Sequence, residues 1–158
     1  MHDDDMVSAP GYESSFCAVE LDRAQCLDLL RSAHIARVVL SIKCIPVALP
    51  VNAAVQDDCV IFSTDSGSKL TASVEGQVVS VEADHMDFTY RTGWSVLLTG
   101  RAQLVTEAAD IEWASSRLQA WVPEPHPLLV RVQSTLISGR RFTWTDRELS
   151  SKKMRPCA

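Results

Sequence analysis

Apolar and polar positions follow two different periods along this chain. From Glu20 to Ala33, residues Cys26, Leu27, Leu29, Leu30 and Ala33 recur at helical spacing, and Asp22 with Gln25 resembles a capping box. At Ile35 the character changes. Ile35–Ile42 is a compact β-branched run and reads as a strand. Lys43-Cys44 is a turn, and Pro46–Val55 is a second extended segment. Its two prolines place it near an edge or against a ligand rather than in a sheet centre. Gln56-Asp57-Asp58 is a hairpin turn, Cys59–Thr64 a third strand, and Ser68–Glu75 a short helix. In Val78–Ala83, Val79, Val81 and Ala83 share one face. A polar loop is expected over Asp84–Gly93, before the clearest strand, Trp94–Val105. There Val96, Leu98, Gly100, Ala102 and Leu104 face one way, and Gly100 suggests a bulge or bend. Thr106 can cap a helix over Glu107–Trp121, which Pro123, Pro125 and Pro127 stop. Leu128–Gln133 reads as a strand, Ser138-Gly139 as a turn or bulge, and Arg140–Trp144 as the last strand.

These elements come in short antiparallel steps, without long βαβ alternation. The order predicts a mainly β protein, a closed antiparallel barrel with peripheral helices. Residues 1–16 read as a flexible lead-in, 17–146 as the barrel domain, and 147–158 as a flexible tail.

Composition narrows the partners. A chain of 158 residues with 46% apolar and 22% charged residues suits one domain with a real core. A net charge of −5 argues against a nucleic-acid binder, which needs a basic face. No run approaches a membrane span, and the acidic start is followed by no apolar signal region. Five cysteines, an odd number without a C-x-x-C pair, suit a reducing cytoplasm rather than a disulfide framework or zinc site. Cys26, Cys44 and Cys59 sit in apolar contexts and read as small core hydrophobes.

Candidate chemistry is sparse. The four histidines are scattered, no metal spacing or catalytic triad is visible, and neither G-x-G-x-x-G nor a P-loop occurs. Thr64–Lys69, TDSGSK, stands out. Hydroxyls, a glycine and a lysine at a helix start can hold a phosphate, because unpaired N–H groups point outward there and the helix dipole favours an anion. The same residues also make an ordinary capped turn. Trp94, behind Arg91-Thr92-Gly93, can cover an aromatic ring or serve as a core or interface tryptophan.

Several pieces together resemble the pyridoxamine 5′-phosphate oxidase-like FMN-binding split barrels, in their actinobacterial branch. They are Ile35-Ala36-Arg37-Val38-Val39, Pro50-Val51-Asn52, Phe62-Ser63-Thr64 through Gly67-Ser68-Lys69-Leu70, Val81–Asp84, Arg91–Val96, Gly100-Arg101-Ala102 and Ser138–Arg141. The resemblance implies a six-stranded Greek-key barrel working as a homodimer, with flavin sites at the interface. It implies that Pro50, Val51, Asn52 and Ala53 run beside the flavin ring, largely through backbone. Ser63, Thr64, Ser68 and Lys69 would hold the phosphate, with Leu70 just behind. Trp94 and Ser95 would approach the ring or ribityl chain, and Arg140 or Arg141 would lie near. It further implies an FMN-dependent oxidoreductase acting on a small molecule, without nucleic acid or membrane. The deazaflavin F420 as cofactor is one alternative. A non-enzymatic module that binds flavin, haem or another apolar ligand is another. Two departures stand out. The vitamin-forming oxidases carry an arginine–lysine pair where this chain has Lys69-Leu70, and their C-terminal substrate-phosphate motif is not evident here.

Overall fold

The alternating runs become strands that pair only in antiparallel fashion. The computed structural model describes residues 12–65, 74–118 and 127–148, with side chains from Cys17 to Thr143 within those ranges. In chain order the elements are β1 (Tyr12–Glu20), α1 (Arg23–Ser32), β2 (Ile35–Ile42), β3 (Ile45–Gln56), β4 (Cys59–Asp65), β5 (Val78–Asp87), β6 (Thr92–Leu104), α2 (Ala108–Arg117) and β7 (Pro127–Glu148). The sheet order is β1-β7-β4-β3-β2-β5-β6, and β6 pairs again with β7. Strands β2 to β7 therefore close the expected six-stranded antiparallel barrel. β1 adds a seventh strand along the far part of β7, from Tyr12↔Glu148 to Glu20↔Arg140.

Local rules account for most of these elements. α1 starts at a complete capping box, with the Asp22 side chain accepting from the Gln25 N–H and the Gln25 side chain from the Asp22 N–H. Lys43 and Cys44 both take positive φ in the two-residue turn between β2 and β3. Cys44 is exposed there, so it is not the core residue expected, whereas Cys26 is fully buried. The β6 register shifts between Thr99 and Gly100, where a bulge was expected. A Cβ on Gly100 would lie 1.8 Å from the Gln133 carbonyl oxygen, so only glycine fits this crossing of β6 and β7.

The structure corrects other expectations. β1 begins inside the segment expected to be a flexible lead-in, because its pairing with β7 needs backbone groups rather than apolar alternation. β7 reaches Glu148, two residues past the expected end of the domain. β7 is one strand of 22 residues, with no turn at Ser138-Gly139. Gly139 is small for a packing reason: a Cβ there would stand 2.7 Å from Cys26 Sγ on α1. β5 and β6 extend into the expected Asp84–Gly93 loop, leaving only residues 88–91 between them. Glu107, not Thr106, occupies the cap position of α2, with no side-chain cap hydrogen bond. The helix expected over Ser68–Glu75 lies almost wholly outside the described residues.

The core lies inside the barrel. Val38, Phe62, Val81, Val96, Leu98, Val130 and Val132 meet there, and α1 adds Cys26, Leu27 and Leu30. Phe62 is fully buried, so truncating it to Ala costs about 3–5 kcal/mol. A smaller cluster, Ile61, Ala114 and Leu129, joins α2 to β4 and β7. Among the described residues no helix is long and apolar enough to cross a membrane.

Candidate functional site

The barrel wall is uneven at one seam. β3 pairs with β2 from Ile45 to Asn52 and with β4 only from Ala53 to Gln56. β4 runs on through Ser63, Thr64 and Asp65, paired to Leu129, Leu128 and Pro127 of β7 on its other edge. β3 and β4 therefore part after Ala53↔Phe62. Pro50–Asn52 forms one bank of the gap and Ser63–Asp65 the other. Pro46 and Pro50 both fall in the stretch that pairs on one side only, where a missing N–H costs no ladder bond. The prolines thus stand on a locally unpaired stretch, but β3 itself lies in the middle of the sheet order rather than near an edge as its prolines suggested.

The structure places the residues singled out in the sequence in two groups. Pro50 is exposed opposite Arg37, Val51 is buried opposite Ala36, Asn52 faces Ile35 in register, and Ala53 makes the last β3–β4 pair. Ser63 is partly buried and Thr64 buried on the facing bank. Ser68, Lys69 and Leu70 lie outside the described residues. The second group stands on β6 and β7. Ser95 is opposite Arg140, and Trp94 opposite Arg141. Directly opposed residues share a face. Arg141 thus stands on the Trp94 side, and Arg140 on the Ser95 side with Glu20 at 4.0 Å. Trp94 is partly buried and packs on the core. Around the barrel wall β3 and β6 are three strands apart in either direction, through β2 and β5 or through β4 and β7, roughly 14 Å at the usual strand spacing. One chain therefore does not bring Trp94 and Ser95 onto the Pro50–Ala53 bank through neighbouring strands.

The polar atoms of the first group carry one anomaly. Asn52 Oδ1 is buried and has no hydrogen-bond partner. A buried acceptor without a donor costs about 1–3 kcal/mol, so it is rare and asks for a reason. Among the described residues one other buried side-chain atom lacks a partner, Arg131 Nε, although the rest of that guanidinium is paired. Arg37 reaches Glu82 at 3.0 Å and Asp84 at 2.5 Å on the outer face, and these two carboxylates hold its charge more firmly. Arg131 on β7 lies 2.6 Å from Asp110 of α2. Gln56 donates to Asp110 at 3.2 Å and accepts from Arg131 at 3.4 Å. The Arg131 hydrogen bond, then that of Gln56, holds the Asp110 carboxyl below its ordinary value. Burial pushes the thiols of Cys26 and Cys59 up, so neither is a ready nucleophile.

Sequence reasoning missed the Arg131–Asp110–Gln56 triangle. Its members lie on three elements, and no local spacing announces them. It also missed the exposed Phe88 and Tyr90 on the β5–β6 turn, where the Asp87 carboxylate accepts from the N–H groups of Thr89 and Tyr90.

A closed antiparallel barrel of six strands, parted at one seam, defines a split barrel. The chain belongs to the pyridoxamine 5′-phosphate oxidase family, whose model matches residues 22–141. An uncharacterized protein of Mycobacterium tuberculosis is 34% identical over 82% of this chain and 88% of its own length. The structure of an FAD binding protein from Mycobacterium smegmatis is similar at 35% identity and a TM-score of 0.67, covering 78% of this chain and 98% of that one. An FAD and heme binding protein from the same organism shares the fold, at 14% identity and a TM-score of 0.64, over 88% of each chain.

Proposed function

We propose that this chain is a flavin-binding oxidoreductase whose cofactor ring lies in the parted β3–β4 seam. The observation that carries this reading is the seam itself, with its orphaned Asn52 oxygen, in a member of this family. The residues present fit a flavin. Val51 and Ala53 turn their side chains to the core and leave strand backbone to the ring, Asn52 offers a buried acceptor, and Ser63 and Thr64 stand on the bank toward a polar tail. In the sequence, Ser68 and Lys69 follow Thr64 by a few residues and would hold its phosphate, with Leu70 behind them.

When bound, a flavin supplies hydride transfer at its N5. The chain's own part is to seat and orient the ring, to exclude water with Val51 and the buried Thr64, and to anchor the phosphate through Lys69. Trp94, Ser95 and Arg140 or Arg141 stand three strands away, so they serve the same ring only if a second copy brings them to it. That separation supports a homodimer with shared sites. FMN is the cofactor proposed, since the single cation at Lys69 suits one phosphate. The similarity to an FAD binding protein makes FAD the first competitor to titrate, with F420 next.

The visible spectrum of the purified protein, with mass spectrometry of any released cofactor, tests the reading. A yellow protein releasing FMN is expected. A colourless protein that binds neither added FMN nor FAD would sink it.

A further inference from the structure

We infer that the Asn52 side chain accepts a hydrogen bond from the imide N3–H of the bound flavin ring; this rests on the flavin reading above. Beside a flavin, strand β3 would make its contacts through the backbone, and a strand has no need of a buried amide side chain for that. Yet Asn52 Oδ1 is withdrawn from solvent and meets no donor. A carboxamide oxygen only accepts. The missing partner is therefore an N–H or O–H from outside the described chain.

An oxidised isoalloxazine carries a single ring N–H, at N3. Its N5 is then an acceptor and would repel Oδ1. The ribityl hydroxyls are the other donors a flavin has. The neighbours of Asn52 decide against them. Side chains alternate along β3, so Val51 and Ala53 turn into the core and Asn52 stands on the other face beside its apolar cross-strand partner Ile35, whereas the hydroxyl-bearing residues Ser63 and Thr64 stand on the opposite bank. The apolar bank suits the ring and the hydroxyl bank suits the tail. N3–H is common to FMN, FAD and riboflavin, so the contact selects the ring and ignores the length of the tail.

The orphaned oxygen also makes a prediction about the protein without flavin. Replacing Asn52 by Leu removes an unsatisfied buried acceptor while keeping its volume. The flavin-free protein should gain about 2–4 °C in Tm while losing affinity for the cofactor.

The test uses FMN and 3-methyl-FMN, in which the N3 proton is replaced by a methyl group, titrated into cofactor-free wild type and Asn52→Leu by flavin fluorescence. Wild type should bind 3-methyl-FMN about tenfold more weakly than FMN. Asn52→Leu should bind FMN about tenfold more weakly than wild type and should bind the two flavins equally. Wild type binding both flavins alike would overturn the assignment while leaving the flavin reading intact. The same holds if methylation costs as much in Asn52→Leu as in wild type. A lowered Tm in flavin-free Asn52→Leu with unchanged FMN affinity would make Asn52 a structural residue and also overturn it. If wild type binds neither flavin, the proposed function itself fails, and this inference with it. Should the variant not fold, the wild-type comparison of the two flavins decides alone.

Discussion

Two seams of the same barrel follow opposite rules. Between β6 and β7 the strands pair without a break in contact from Thr92↔Thr143 to Leu104↔Val130, and the one register shift is filled by a glycine that leaves no room for a Cβ. Between β3 and β4 only four rows pair, prolines stand on the unpaired stretch, and a buried amide oxygen goes without a donor. The first seam spends every local choice on closure. The second breaks several of the rules that favour a well-satisfied interior, and such violations gather at functional sites. The contrast teaches where to look: the place where the barrel's own logic lapses is the place a ligand would complete.

Breaking the tight seam should have the largest effect. Gly100→Ala puts a Cβ on the Gln133 backbone, where no flexible side chain can yield. A loss of about 3 kcal/mol or more is expected, read as a fall of roughly 6–12 °C in Tm. A Tm within 2 °C of wild type would show that the β6–β7 crossing is looser than its register implies.

Next in size is the proposed phosphate anchor. Lys69→Ala should weaken FMN binding by about 1.5–3 kcal/mol through loss of a charged hydrogen bond, with the circular dichroism spectrum unchanged. FMN bound as tightly as by wild type would return the Thr64–Lys69 stretch to an ordinary turn.

The bridge between α2 and the wall gives a third, pH-dependent effect. The Asp110 carboxyl titrates below its ordinary value because Arg131 and Gln56 favour the charged form. Its contribution is therefore present above the unfolded carboxylate range and lost as pH falls through its folded value. Urea unfolding at neutral pH should show Asp110→Asn less stable than wild type, and the gap should close in acid. A gap that persists once the carboxylate is protonated would locate the effect elsewhere.

The smallest effect is expected where the open seam is least built. Pro50→Ala, at an exposed position without a cross-strand partner toward β4, should change unfolding free energy by less than about 0.5 kcal/mol. A cost of several times that would mean the proline holds the seam in shape.

Legibility followed the kind of signal each residue carries. β2 was readable to the residue, because Ile35–Ile42 is β-branched and bounded by a helix end and a turn. Gly100 announced its bulge because a glycine amid apolar alternation has few other uses. Gly139 misled for the same reason: its smallness answers Cys26 on α1, a contact that sequence distance hides. The polar ends of β5 and the whole of β1 escaped because ladders beyond the core need only backbone. Pro50–Ala53 and Ser63-Thr64 were singled out together through the resemblance, and the register sets them on the two banks of one gap. The orphaned oxygen of Asn52 was not readable, since an unmet hydrogen bond exists only once the neighbours are in place. Nor could spacing show that Trp94 and Ser95 stand away from that bank.

The length of β7 carries a consequence for how the molecule is made. It is the last strand among the described residues, and it pairs with β1, β4 and β6. Until it emerges from the ribosome, those three strands keep open edges and the barrel cannot close. Such distant pairings make for slow folding and leave sticky edges exposed meanwhile. The order of synthesis thus leaves three edges waiting on one late strand.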